Sequence, residues 1–342
     1  MNRKVSPQLI RGVICSALIL LSLTLCLVQV HCWERALSTA PQPDLPPGHW
    51  LLRDYAAGTP RNAKAPFSRE ERGSALTTTY NFVAPGNQPL HFTLSTPTAD
   101  YRAYRNRFGY RQEELDALYR EQRQQLEQAY HDAVKSGQPQ AELDTVYATI
   151  KANFHARTNR LIFERGFRFI NDSTMTADIP RIVRDNVTSL RPAALAILAA
   201  AREHGSTADD IIALALPFAQ TALTYEALPP QSQGRLTAGF SPPLEVLLEG
   251  RGDCDSKTAL LAALLLNWDQ MKLIGIGIPG HYLLGVLRSP GRGDAFYTYN
   301  GLTYVLMEPA GPAWLPPGTV AESTLLRLGA GDQIIIEPLS AI

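Results

Sequence analysis

Residues 241–268 read SPPLEVLLEGRGDCDSKTALLAALLLNW. Pro243–Leu248 has the spacing of a short helix, and Gly250-Arg251-Gly252 turns the chain. From Ser256 to Trp268 the run is dense in Ala and Leu, which predicts a helix buried on all sides. Cys254 therefore stands at or near the N-terminus of a buried helix. Unpaired N–H groups and the positive end of the helix dipole stabilise an anion there. Free thiols titrate near 8.5, and such settings bring them to roughly 3.5–7.5. The same N–H groups serve as an oxyanion hole for a tetrahedral intermediate. Asp253 and Asp255 oppose a thiolate if they point at it; otherwise they cap the helix or brace the loop, with Lys257 as a counterion.

Outward from this stretch, residues 271–287 read MKLIGIGIPGHYLLGVL. Lys272–Ile276 and His281–Leu287 are strand-like runs joined by a Gly/Pro turn, and His281 opens the second. Ala295–Tyr299 and Tyr304–Met307 flank Asn300-Gly301, a strong hairpin signal. Glu308 ends the last strand. Helix cysteine, strand histidine and strand-end acid thus follow in order. A histidine near the sulfur forms an ion pair with it and later protonates the leaving group. An acid beside His281 fixes its tautomer and aims it at the sulfur.

The order and wording of these segments resemble the transglutaminase-like superfamily, which includes bacterial cysteine peptidases with a circularly permuted papain-like core. The matching features are Tyr225 at a helix end, PLEVLLEGRGDCDSKTALLAALL, GHYLLGV and YVLMEP. They span roughly residues 207–311, about a third of the chain. The resemblance puts the nucleophile on Cys254, the base on His281 and the third member on Glu308, where many relatives carry Asp. It also implies an antiparallel sheet packed on the cysteine helix, an α+β fold. Tyr225 either lines the cleft or packs the helix end; with Asp253 and Asp255 it is a candidate for substrate binding or oxyanion support. In a calcium-dependent member of the class, these acids would offer oxygens, but no EF-hand-like loop is present. No metal and no cofactor is expected.

Composition is consistent with this chemistry. The chain of 342 residues holds 32 Lys plus Arg against 32 Asp plus Glu, a formal net charge of zero. That argues against a general nucleic-acid binder, which needs a basic excess. Of four cysteines, Cys15, Cys26 and Cys32 lie in or beside an N-terminal apolar run. Cys254 is left without a partner for a disulfide inside its own domain, so it is either a buried small hydrophobe or a reactive thiol.

Gly12–Val30 carries no charge and is long enough to nearly cross a hydrocarbon core of about 30 Å. Arg3, Lys4 and Arg11 precede it. The positive-inside rule then leaves residues 1–11 in the cytoplasm, makes 12–32 a single-pass inner-membrane anchor and exports the rest. A cleaved signal peptide is the competing reading, with Gln29–Trp33 a poor cleavage context. Residues 33–110 read as a linker with a small β region. Within it, Thr77–Val83 and Leu90–Leu94 flank Pro85-Gly86-Asn87 as a hairpin. Residues 111–166 form an antiparallel helical hairpin, a spacer or a partner-binding arm, and 167–342 the catalytic domain. In that domain Phe167–Ile170 is a strand, while Asp178–Arg202 and Thr207–Thr224 are helices, the second capped by Ser206 or Thr207.

Two functions follow as expectations. One is a membrane-anchored acyl-transfer enzyme in which Cys254 attacks an amide or peptide carbonyl of a protein or peptide substrate, and the thioester goes to water or to an amine. The other is a non-catalytic peptide-binding or scaffolding module of the cell envelope.

Overall fold

Alternating apolar residues along ALTTTYNFVA put Leu76, Thr78, Tyr80 and Phe82 on one buried face, and this face decides how the first sheet packs. The computed structural model of the chain describes residues 65–84, 88–171, 174–203, 211–268, 271–331 and 333–340. Strands β1 (Phe67–Arg72), β2 (Ala75–Ala84) and β3 (Gln88–Pro97) form an antiparallel sheet with β2 in the centre. The expected hairpin is present, with Phe82 opposite Leu90; its turn lies outside the described residues. So does the proposed membrane anchor, together with residues 33–64 of the linker. The edge strand β1 is charged and mostly exposed, which discourages further strand pairing.

Helix α1 (Thr98–Arg105) leads to the helical hairpin, α2 (Gln112–Ser136) and α3 (Gln140–Glu164). The Glu114 side chain accepts the Arg111 N–H at 2.8 Å and starts α2. Gly137, at φ 66°, ends it in the left-handed conformation that glycine adopts without strain. The hairpin is mostly surface: Ala133, Leu143 and Ile162 are its buried side chains, and of these only Ile162 joins the main core. Among the described residues, His131 and His155, read as surface or packing residues, make ring contacts with their chain neighbours Tyr130 and Phe154.

The chain continues through the hairpin β4 (Phe167–Asn171) and β5 (Thr174–Ala177), then helices α4 (Ile179–Glu203) and α5 (Ile211–Pro217). The helix expected over 207–224 ends two residues early. It widens into a single π turn at Phe218–Ala222, and Leu223 is already extended. The capping residues proposed for it lie outside the described residues. Four two-residue strands follow in pairs: β6 (Thr224–Tyr225) parallel to β9 (Arg251–Gly252), and β7 (Gln231–Ser232) with β8 (Arg235–Leu236). Between them sits α6 (Pro243–Glu249), and after them the cysteine helix α7 (Cys254–Leu265).

The main sheet takes β10 (Leu273–Ile278), β11 (His281–Leu287), β12 (Phe296–Tyr299) and β13 (Leu302–Met307). Helix α8 (Glu322–Ala330) and strand β14 (Ile335–Pro338) complete the chain. The order is β12-β13-β11-β10-β14, antiparallel throughout. Its two faces follow from strand alternation. Leu273, Tyr282, Leu284, Val286, Val305 and Met307 face the core shared with α7. Ile274, Ile276, Ile278, Leu283 and Leu306 face a second cluster closed by Leu325 and Leu328 of α8.

Every residue of α7 from Ser256 to Leu265 is buried, because α4, α5, α6 and β11 surround it. Its lack of amphipathicity is the signature of that position. The first sheet joins the same core through Tyr80, Phe82 and Phe92, whose rings lie 5.3–5.6 Å from Phe218 of the π turn. The Tyr80 hydroxyl donates to the Leu247 carbonyl at 2.7 Å. The described residues therefore form an α+β structure within one unit, Pro47–Ile342.

Candidate active site

The turn before Cys254 is built by backbone pairing. Gly250 ends α6 at φ 71°, and Arg251 and Gly252 pair in parallel with Thr224 and Tyr225. A side chain at Gly252 would press on Val246, Ser256 and Lys257 at 3.2–3.3 Å, so those side chains would have to give way to admit one. Asp253 is the N-cap of α7, and its carboxylate accepts the Ser256 N–H at 3.4 Å. Asp255 Oδ1 accepts the same N–H at 2.7 Å. Cys254, a free half-buried thiol, is the first residue of the helix. Its own N–H has no acceptor within the helix, as for any first-turn donor.

His281 opens β11 after the turn at Gly280, whose φ is 71°. Its imidazole interacts electrostatically with both the Cys254 thiol and the Glu308 carboxylate. Nε2 stands 2.9 Å from Glu308 Oε1, although the N–H vector points off that oxygen, so the contact acts chiefly through charge. Burial alone would lower the basicity of the ring. Hydrogen bonds and charge from Cys254 and Glu308 outweigh it and raise the imidazole to about 9.

Glu308 is itself held. Burial pushes its carboxyl up, but His281, the Ala321 N–H and the Thr324 hydroxyl bring it below the usual carboxylate range. Oε2 accepts from Ala321 at 2.6 Å and Oε1 from Thr324 at 3.3 Å, so the carboxylate sits on the N-terminus of α8. The three residues picked from sequence order thus meet in one place, delivered by three elements.

Tyr225, Asp253 and Asp255 are also at this place. Tyr225 is 46 % exposed; burial, then the charges of Cys254, Asp253 and Asp255, raise its phenol. Burial and the hydrogen bond and charge of Asp253 push the Asp255 carboxyl well up. A raised Asp255 carboxyl favours its neutral form, which lessens the conflict foreseen for a thiolate. Lys257 does not act as their counterion. It is fully buried, and Nζ donates to the Leu223 and Ala310 carbonyls on the far side of the helix start.

Two side chains brace this geometry, Lys257 in a role other than the counterion expected of it and Gln220, which sequence reasoning missed. Lys257 ties α7 to the segments that carry Tyr225 and Glu308. Gln220, fully buried in the π turn, donates to the Glu308 carbonyl at 3.0 Å and the Leu315 carbonyl at 2.9 Å, and accepts from the Leu315 N–H at 3.2 Å. The signal available was a single Lys and a single Gln inside otherwise apolar runs. A buried polar group needs partners, so it marks a place where loops are tied. π turns recur at functional sites.

Cys254, Asp255 and His281 open onto a groove of about 630 Å³, walled by β4, the end of β10 and β14. Among the described residues no group of three or more His, Cys, Asp and Glu side chains is gathered as a metal site. The arrangement has the parts for nucleophilic attack by sulfur: a thiol, a base held by an acid, a helix N–H at the reaction centre and a groove beside it. Compared with family models, curated proteins and solved structures, the chain finds no match in any of the three.

Proposed function

We propose that this chain is a thiol acyl-transfer enzyme of the transglutaminase-like or papain-like kind, anchored by its N-terminal segment and acting on amide or peptide bonds outside the cytoplasm. The observation that carries the reading is the His281 imidazole interacting with both the Cys254 thiol and the Glu308 carboxylate at the head of a buried helix. Cys254 sulfur attacks the carbonyl carbon, and its proton resides on His281. The oxyanion is met by the Cys254 N–H, with the Tyr225 phenol close by. His281 then gives its proton to the leaving amine as the C–N bond breaks, leaving a thioester. Water or a second amine attacks the thioester, its proton passing to His281 and then to the departing sulfur. Glu308 keeps the ring oriented and stabilises its charged form.

A second reading is supported by the hairpin. Tyr119, Tyr130, Val134 and Val146 on it are exposed, which suits a non-catalytic module that binds a peptide or scaffolds an envelope complex. The experiment that separates the two uses iodoacetamide on the full-length chain. An enzyme shows fast modification of Cys254 that falls at least about tenfold in His281→Ala, and product bands from an envelope extract that vanish in Cys254→Ala. Modification at the same slow rate in both proteins, with identical extract patterns, removes the enzymatic reading.

A further inference from the structure

The groove has a wall chemistry of its own. Phe169 and Ile170 of β4 and Ile335 of β14 are 42 %, 61 % and 56 % exposed, and all three line the groove that reaches Cys254 and His281. Large apolar side chains grouped in a concave site gain by taking an apolar partner out of water.

The charged groups in the groove are already matched. The Arg168 guanidinium rests on Glu337, whose other oxygen accepts from the Tyr282 hydroxyl at 2.5 Å. Asp255 Oδ1 accepts from the Ser256 N–H and lies 3.3 Å from its hydroxyl. A charged substrate side chain would lose water here and find no free counter-charge.

The floor is bare. Gly277 stands opposite Ile335 and Tyr282 in the sheet, and a Cβ built on it meets each at 3.5 Å, ordinary contact distance. Nothing in the strand's conformation requires glycine at that point. Its absence of side chain leaves depth beside the sulfur, as glycine does where a ligand comes close.

From these observations we propose that the groove takes the acyl side of the substrate, an extended peptide whose residue at the reacting carbonyl bears a bulky, apolar, uncharged side chain seated on Phe169, Ile170 and Ile335. The proposal rests on Cys254 being the nucleophile, since the reacting carbonyl must lie at its sulfur.

Three peptidyl chloromethyl ketones that differ only in the residue next to the reactive carbon (Leu, Asp or Lys) test it on the full-length chain. Each rate of adduct formation at Cys254, followed by mass spectrometry, is divided by that of iodoacetamide on the same protein. The Leu probe is expected to lead the other two by roughly tenfold or more, the scale of discrimination in an apolar pocket. In Ile335→Ser and in Gly277→Val, which raises the floor, that lead shrinks several-fold. Equal rates for the three probes, or a lead that neither substitution alters, overturns the proposal. The two ideas fail separately. A strong Leu preference with iodoacetamide reactivity unaffected by His281→Ala keeps the groove and removes the enzyme. Its converse keeps the enzyme and removes the groove.

Discussion

At the scale of single residues, three buried ionisable groups set opposite pH trends. His281 titrates in the folded chain at about 9, above its ordinary 6.5. Its contribution to stability is therefore complete below pH 6.5 and is lost as pH climbs through about 9. The destabilisation caused by His281→Gln should be largest at pH 6 and fade by pH 9.5, as read by urea unfolding at each pH. Lys257 behaves the other way: burial brings it to about 7, so folding gains as pH rises from about 7 towards 10.5. Lys257→Met should therefore compare best with the parent chain below pH 7, and its relative stability should decline above that. If both variants gave pH-independent differences, neither group would be titrating as described. Glu308 is depressed, so its contribution is present above 4.5 and is lost as pH falls below that. Glu308→Gln keeps the shape and removes the charge. It should bring the His281 titration, seen by NMR, back towards 6.5, and turnover should fall by up to roughly 10²–10⁴-fold.

At the scale of elements, the cysteine helix and the helical hairpin are opposites. Leu264 sits in a helix buried on every side, so Leu264→Ala should cost about 2–5 kcal/mol by urea unfolding. Leu195 of α4 is 54 % exposed, and Leu195→Ala should stay within about 0.5 kcal/mol. The hairpin holds itself together through ring and ion-pair contacts such as Tyr119 with Phe154 and Arg157 with Glu121. Excising its distal half with a short turn in place should leave the melting temperature within a few degrees and Cys254 alkylation unchanged. A collapse of either would show that the arm carries the core. Both helices were legible in the residue pattern because 3.6-residue spacing and an all-apolar run are local signals. The early end of the helix before Tyr225 was not. A π turn there depends on Phe218 packing into the aromatic cluster and Gln220 reaching Glu308, which are long-range contacts.

At the scale of the molecule, the first sheet, the buried helix and the main sheet share one core, so the site is assembled from distant segments. Cys254, His281 and Glu308 were readable from the chain because each stands at an element end marked by glycine, proline or a cap. Their type and order, the helical hairpin, the buried cysteine helix, the strands that follow it and the neutral charge balance follow from the residues alone, whereas Phe67–Arg72, Thr98–Arg105, Glu322–Ala330 and Ile335–Pro338 were not read from them. Sequence could not say that burial and Asp253 favour the neutral form of Asp255, or that Lys257 donates to the Leu223 and Ala310 carbonyls instead. Nor could it place Gln220, Phe169, Ile170 and Ile335 around the site. Periodicity and propensity act over a few residues, whereas burial, buried hydrogen bonds and groove walls come from groups brought together across 80 to 170 positions of chain. Only packing decides which of them meet.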